Sequence, residues 1–577
     1  MLIVGVIVTV RHFTRPPLST QDSALRTEAA SAALPLPDKP SIVVLPFVNM
    51  SKDPEQEYFS DGLTEVLTGD LSKISSLFVI ARNSAFTYKG KAVKVQDVGR
   101  EMGVRYVLEG SVQKADQRVR ITTQLIDATT GYHLWSEQYD RPLQDIFALQ
   151  DEIVQKIVTT LKLQLTLEEQ GHIVRKHTDN LEAYDAFLHG VEYFWRFTKE
   201  GNAQARQLFE KAVALDPQYA EADALLGWTY YLEWTWHWSG DSQTLERALA
   251  LAQQAVTLND SLPIAHSLVS WVYYTMFKQQ YDQAIAEGER AITLNPNNAD
   301  SYIYQANVLN FAGRPEDALR MVEQAMRLNP RYLPLYLWEL GFAYRLTGRY
   351  AEAITTFKDA ISRSPNHIPA HLQLAISYMW QWLAQQNLDA QMLEEALAAA
   401  QRALALNDAW HANHIVLGYV YLSQQQYDQA LAEIEQGVAF APNEADSYAA
   451  LAEVLSRVGR TEDALEAAVQ ALRLKSFIAD DHLAGVGTAY AVAGRYEEAR
   501  VPLQRYLSRY PNRLHVHLML AAVYSELGQT AEARVEAAAV LRLNPQFSLA
   551  VHKQRMPIKD SAVLERHLAA LRKAGLK

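Results

Sequence analysis

The sequence contains no cysteine among its 577 residues. That absence excludes disulfides, thiolate nucleophiles, cysteine-ligated zinc and iron–sulfur clusters, and it leaves the redox compartment open. A basic surplus is lacking as well. The formal charge is −12 at neutral pH, whereas a nucleic-acid partner wants a basic face, so none is expected. No apolar run reaches the roughly 20 residues that a membrane-spanning helix needs. Walker, GxSxG, HExxH and EF-hand patterns are all missing. Gly485 and Gly487 look like part of a glycine-rich loop but precede no phosphate-type helix start. His515 and His517 stand two apart, on different sides of a helix, and cannot share a metal. His411 and His414 are better spaced but have no third ligand nearby in sequence, so surface or packing roles are expected. No catalytic residue, metal ligand or cofactor is therefore assigned, and the chain reads as non-enzymatic.

What is present is a folded composition, 49% apolar and 21% charged, in a chain too long for one core. It opens MLIVGVIVTVRHF. The uncharged run Leu2–Val10 is about half a spanning helix, and residues 1–13 read as a partial membrane segment. Residues 14–40 hold Pro16, Pro17, Pro35, Pro37 and Pro40, which prevent a continuous helix and predict a semi-extended linker.

From Ser41 to Leu165 short elements alternate. SIVVLPF (41–47), LFVIA (77–81), VRYVLEGSV, RVRITTQLID and YHLWSEQYD predict five strands, the last three joined as two hairpins. EYFSDGLTEVLTGDLSKI (57–74) aligns Phe59, Leu63, Val66, Leu67 and Leu71 on one helical face. VQDVGREMG (95–103) is a short helix closed by Gly103, and DIFALQDEIVQKIVTTLKLQL (145–165) is an amphipathic helix. The expected unit is an α+β domain with a five-strand mixed sheet.

DLSKISSLFVIARNSAFTYKGK, GVRYVLEGSVQK, RVRITTQLIDATTGYHLWSEQYDR and DIFALQDEI closely resemble the TolB-amino-terminal-like domain of certain bacterial signalling proteins. The resemblance covers residues 40–165 nearly without gaps. It implies a single membrane helix before the domain and tetratricopeptide repeats after it. It also implies an upstream effector, either a class III adenylate cyclase or a winged-helix DNA-binding domain of the CadC type. It names no ligand.

The remainder is periodic. Helix-ending points recur at Pro217, Asp260, Pro296, Pro330, Pro365, Asp408, Pro442, Ser476, Pro511 and Pro545, at spacings of 43, 36, 34, 35, 43, 34, 34, 35 and 34. A period of 34 is the tetratricopeptide length. In residues 334–365 the signature positions are held by Leu337, Leu340, Gly341, Tyr344, Ala353, Phe357, Ala360 and Pro365. Ten repeats are expected over 181–545, the first most degenerate, with a capping helix in 560–577. The expected architecture beyond the α+β domain is thus an all-α superhelix, stacked because no single repeat buries its apolar face.

In this family the second, fifth, ninth and twelfth positions of each first helix line the concave side. Repeats two to seven place Trp228, Tyr231, Tyr273, Met276, Ile303, Trp338, Phe342, Leu372, Met379, Ile415 and Tyr419 there, interrupted by Asn307, Asn310 and Arg345. The expected partner-binding groove is apolar and aromatic, and the Lys/Asn clamp of chaperone-binding relatives is absent. Two long repeats add Trp234, Trp236 and Trp238 in repeat two and Trp380 and Trp382 in repeat six, four repeats apart and expected to face each other across the groove.

The resulting expectation is a non-catalytic scaffold or sensor module that holds a protein or peptide ligand. It would be anchored in the inner membrane by its N-terminal segment, with the repeats extracytoplasmic (periplasmic). Arg11 and Arg15 oppose that topology, since positive flanks favour the cytoplasm. The alternatives are a soluble cytoplasmic adaptor, or a fragment of an adenylate cyclase-type or winged-helix regulator whose effector domain is missing.

Overall fold

Pro46 sets the layout of the N-terminal sheet. Ser41–Val44 forms β1 and, beyond the proline, Val48–Asn49 forms β2. Phe78–Val79 (β3), Tyr106–Ala115 (β4), Arg118–Asp127 (β5) and Tyr132–Pro142 (β6) complete it. Both pieces of the divided run pair in parallel with β4, because proline has no N–H to continue the ladder. The order is β3-β1-β4-β5-β6 with β2 on β4, so the mixed sheet has six strands rather than the five expected. The computed structural model describes residues 34–577 except 52, 116, 168, 171–177, 197, 237, 240, 242, 277–280, 388, 390 and 475–482. The expected membrane segment 1–13, most of the linker and Ser476 lie outside the described residues. Among the described residues no helix is long and apolar enough to cross a membrane.

One sheet face rests on the helices Glu57–Ser72 and Ile146–Thr160 through Ile42, Val44, Leu67, Leu71, Leu108, Ile121, Ile153 and Ile157. Val43, Leu45, Phe78, Ile80 and Val107 point the other way and share a core with Tyr281, Ile303, Val322 and Tyr336 from the helical region. Burial on both faces explains why SIVV is an unbroken apolar run while RVRITT in β5 alternates.

Turns between repeats supply the polar part of this docking. The Asn297 amide donates toward the carbonyls of Ser72, Ile74 and Leu77 at 2.9, 3.2 and 3.0 Å, and its Oδ1 accepts from Val79 N–H. Ala81 N–H donates to Leu328 O at 2.8 Å, and Arg331 pairs with Glu101 at 2.8 Å. The α+β domain is thus built into the array.

Among the described residues ten helix pairs follow, from Leu181–Phe194 with Lys199–Leu215 to Leu514–Glu526 with Thr530–Leu543. Their small positions are where paired helices touch: a Cβ on Gly341 would sit 2.7 Å from the Phe357 ring, and one on Gly487 would sit 2.6 Å from Leu503. His266, His414 and His517 each bond through Nε2 to the carbonyl six residues back and through Nδ1 to a glutamate of the second helix, Glu287, Glu433 or Glu536. These histidines tie turns to helices.

The array curls until its end meets its middle. The Arg509 guanidinium lies 4.4 Å over the Tyr281 ring, and Tyr510 donates to Phe311 O. Asn544 donates to Ala384 O at 2.8 Å, and Gln385 exchanges two bonds with Ser548. Leu549–Arg555 and the last helix, Ser561–Lys573, close the stack, with Leu568 and Leu571 buried against it.

Candidate functional site

The concave positions divide into two groups. In repeats two to four they are filled by one another. Trp228 and Tyr231, on Ala220–Thr235, are 3% and 4% exposed and meet at 5.6 Å. Trp271 and Tyr304 complete the cluster, with Trp228 5.1 Å from Tyr304 and Trp271 4.8 Å from it. The indole of Trp271 donates to Tyr304 O at 3.1 Å. Tyr273 and Met276 are half-buried against the same cluster, and Ile303 is fully buried in the core shared with the sheet. Trp228, Tyr231 and Ile303 therefore pack helix against helix rather than line an open groove as expected, while Tyr273 and Met276 keep part of their surface exposed.

Asn307 is also spoken for. Its amide donates to Glu339 Oε1 at 2.7 Å, and that of Asn310 to Oε2 at 3.1 Å. Glu339 is fully buried, and burial, opposed by these two bonds, pushes its carboxyl up to about 8. Trp338 packs 5.3 Å from Phe342 and does not reach the open space.

The two tryptophan-rich inserts do not meet. Trp380 stacks on His515 at 4.2 Å, and Trp382 lies 4.4 Å under the guanidinium of Arg555, which also donates to Trp382 O. The repeat-six aromatics therefore face the C-terminal end of the array, because the coil closes there. In repeat two, Trp236 is 54% exposed and stacks on Trp238 at 6.5 Å, while Trp234 leans on Tyr231 at 6.2 Å.

From repeat five onward the inside stays open. A cavity of about 330 Å³ lies among repeats five to ten and the C-terminal segment. Phe342, Arg345, Met379, Trp380, Ile415 and Tyr419, all expected at concave or insert positions, line it; Leu372 does not. Among the wall residues not expected from the sequence are Glu453, Arg457, Tyr506, Tyr510, Arg513, His515, His552 and Arg555. These come from repeats eight to ten and the closing segment, and they reach the cavity only because the array curls round.

The wall's charges are unevenly matched. Glu453 pairs with Arg457 at 2.8 Å and accepts from Tyr419 OH at 3.2 Å. Burial, then the Glu453 charge, holds the Tyr419 hydroxyl well above its usual range. Arg345 and Arg513 are 9% and 4% exposed, and among the described residues neither has a carboxylate partner. Burial first, and Arg513 second, pull the Arg345 guanidinium down to about 9, so it is still charged at neutral pH. His552 is pulled down to about 4 by burial and Arg457, and His515 falls well below its ordinary value, so both rings are neutral there. The result is an apolar, aromatic chamber with a cationic wall. It has the shape and lining to hold a ligand.

Residues 36–134 match the TolB amino-terminal domain. Residues 288–320, 305–368, 415–482, 449–513 and 492–553 match tetratricopeptide repeats. Among curated relatives, the chain is 48% identical over 225 residues to the protein named "Putative adenylate cyclase 3" of Rhizobium meliloti (strain 1021), covering 39% of this chain and 38% of that one. The chain thus spans well under half the length of that relative. Among solved structures, a thermophilic tetratricopeptide repeat protein of Thermus thermophilus is 25% identical, covers 34% of this chain and 99% of its own, and has a TM-score of 0.31. Human IFIT1 in complex with m7Gppp-AAAA is 16% identical over 70% of this chain and 88% of its own, with a TM-score of 0.41. The chain therefore joins a TolB amino-terminal domain to an array of tetratricopeptide repeats.

Proposed function

We propose that the chain is a non-catalytic binding scaffold, the sensing half of a membrane-held bacterial signalling protein, and that it captures its partner on the inner face of repeats five to ten. One observation carries this reading: the cavity is walled by Phe342, Arg345, Met379, Trp380 and Tyr419, while the equivalent space in repeats two to four is filled. The match to a relative named as a putative adenylate cyclase, of whose length the shared region covers 38%, supports a signalling context. The proposed partner is a protein or peptide, with nucleic acid disfavoured by the net charge of −12. The proposed topology places the repeats on the periplasmic side of the inner membrane.

Filling the cavity with Ile376→Trp should abolish partner capture, measured by cross-linking and mass spectrometry, and leave the helical circular dichroism signal intact. Unchanged capture would refute the site. Alkaline phosphatase fused after Lys577 should be active in cells if the repeats are extracytoplasmic; inactivity, both in this form and in one extended upstream, would refute that topology.

A further inference from the structure

Arg345 and Arg513 present an unsolved electrostatic problem. Among the described residues, Nε of Arg345, Nε and Nη1 of Arg513, and Nε of Arg457 are buried without a hydrogen-bond partner. Arg513 does bond the Tyr350 side chain, and Arg345 touches the Phe342 ring at 4.9 Å, but neither contact removes positive charge. Glu453 is committed to Arg457 and Tyr419. Asp446, also on the lining, has an interaction of its own although its Oδ1 is buried without a hydrogen-bond partner, and it forms no ion pair with Arg345 or Arg513 among the described residues. Two like charges, withdrawn from water and left without a counterion, are unfavourable in a protein interior. An anion between them would remove that cost, and a planar carboxylate or a phosphate would match the guanidinium donors.

The remaining wall defines the body of such a ligand. Met379, Trp380, Ile415 and Leu518 make most of it apolar and aromatic. A cavity of about 330 Å³ is at the lower end of small-molecule sites and too small for a helix, which with its side chains is about 10–12 Å across. We infer that the cavity binds a small organic anion, a carboxylate or phosphate ester on an apolar or aromatic body, with Arg345 and Arg513 holding the anionic group. The inference rests on the cavity being a binding site, as proposed above, and gives the cavity itself to a small anion, with the protein or peptide partner held on the inner face around it. Closure of the coil by Arg509, Tyr510 and the Gln385–Ser548 pair then makes the occupant a bridge between repeats five and ten.

The test uses the full chain and three probes, phenylacetate, phenyl phosphate and the neutral phenylacetamide, in calorimetric titrations and thermal melts. At least one anion should bind and raise the melting temperature, with the amide weaker by about tenfold or more. The tighter anion assigns carboxylate or phosphate. Arg345→Gln and Arg513→Gln should each weaken anion binding about tenfold or more, while the ligand-free variants melt no lower than the parent, since a repelling pair has been relieved. Equal binding of amide and anions would overturn the inference while keeping a binding cavity. Full anion binding by both variants would overturn it as well. No anion binding at all, with partner capture still lost in Ile376→Trp, would overturn it and leave the scaffold reading standing. The anion–amide comparison on the unaltered chain needs no variant to fold.

Discussion

Trp228 in repeat two and Trp380 in repeat six both belong to long, tryptophan-rich repeats, yet they end in different surroundings. Trp228 is closed in by Tyr231, Trp271 and Tyr304, three aromatics on its own and the following two repeats. Trp380 has His515 on one side, a residue 135 positions away in sequence, and open space on the other. The difference teaches that an outward position in a repeat does not decide exposure. What stands at the same height in neighbouring repeats decides it, together with what the coil brings back from the far end. In repeats two to four three successive first helices present large rings and no room remains. In repeats five to ten, small residues such as Ala449 and Gly485 face the interior, and the space they leave is walled by arginine and tyrosine.

Glu339 marks the seam between these regions, in the first helix of repeat five and held by two asparagines of repeat four. Its folded pKa of about 8 lies above that of the unfolded chain, so the folded state keeps a proton the unfolded state has lost. Stability should therefore fall as pH rises through the window from about 4.5 to about 8, on the order of 5 kcal/mol in total. Urea titrations across that window should show the slope, and Glu339→Gln should flatten it. An equally steep slope in the variant would move the seam's charge elsewhere.

Trp228→Ala should cost about 3–5 kcal/mol in urea denaturation, as loss of a buried indole does. Trp236→Ala, at an exposed insert position, should stay within about 0.5 kcal/mol. Similar values for the pair would erase the distinction between a filled and an open concave face.

Asn297→Ala should cost about 3 kcal/mol, because it strands carbonyls of Ser72, Ile74 and Leu77 in the shared core. It should also make the α+β domain accessible to limited proteolysis at lower urea. A variant as stable as the parent would mean that domain and repeats fold as separate bodies. Gly341→Leu should cost about 1–3 kcal/mol through its clash with Phe357; an unchanged melt would displace the repeat register.

Much of this was legible in the residues. The period of 34 and the small–large pairing of Gly341 with Phe357 locate helices within repeats, since both are local properties of one helix pair. Gly103 ends its helix at φ 62°, the left-handed conformation its position at the end of VQDVGREMG suggested. SIVVLPF read as a single strand; its division at Pro46 shows only in the structure, where β4 is long enough to pair with both pieces.

The docking of the sheet onto repeats three to five left only an indirect trace, the non-alternating run in β1. The cavity was half legible. Phe342, Arg345, Met379 and Tyr419 follow from repeat positions, whereas Arg513, His515 and Arg555 arrive through closure of the coil, which no local pattern encodes. Asn307 shows the converse: a polar residue in a groove position that a buried glutamate had already claimed.

Repeats five to ten are proposed to hold the ligand site, whereas the aromatic residues of repeats two to four are core. Hydrogen–deuterium exchange of the full chain with and without phenyl phosphate tests this central claim most directly. Added protection should fall on peptides spanning Pro334–Leu346, Ile368–Leu383 and Leu514–Glu526, with Ala220–Thr235 and Pro263–Met276 unchanged. Protection centred on repeats two to four, or none in repeats five to ten, would contradict the account.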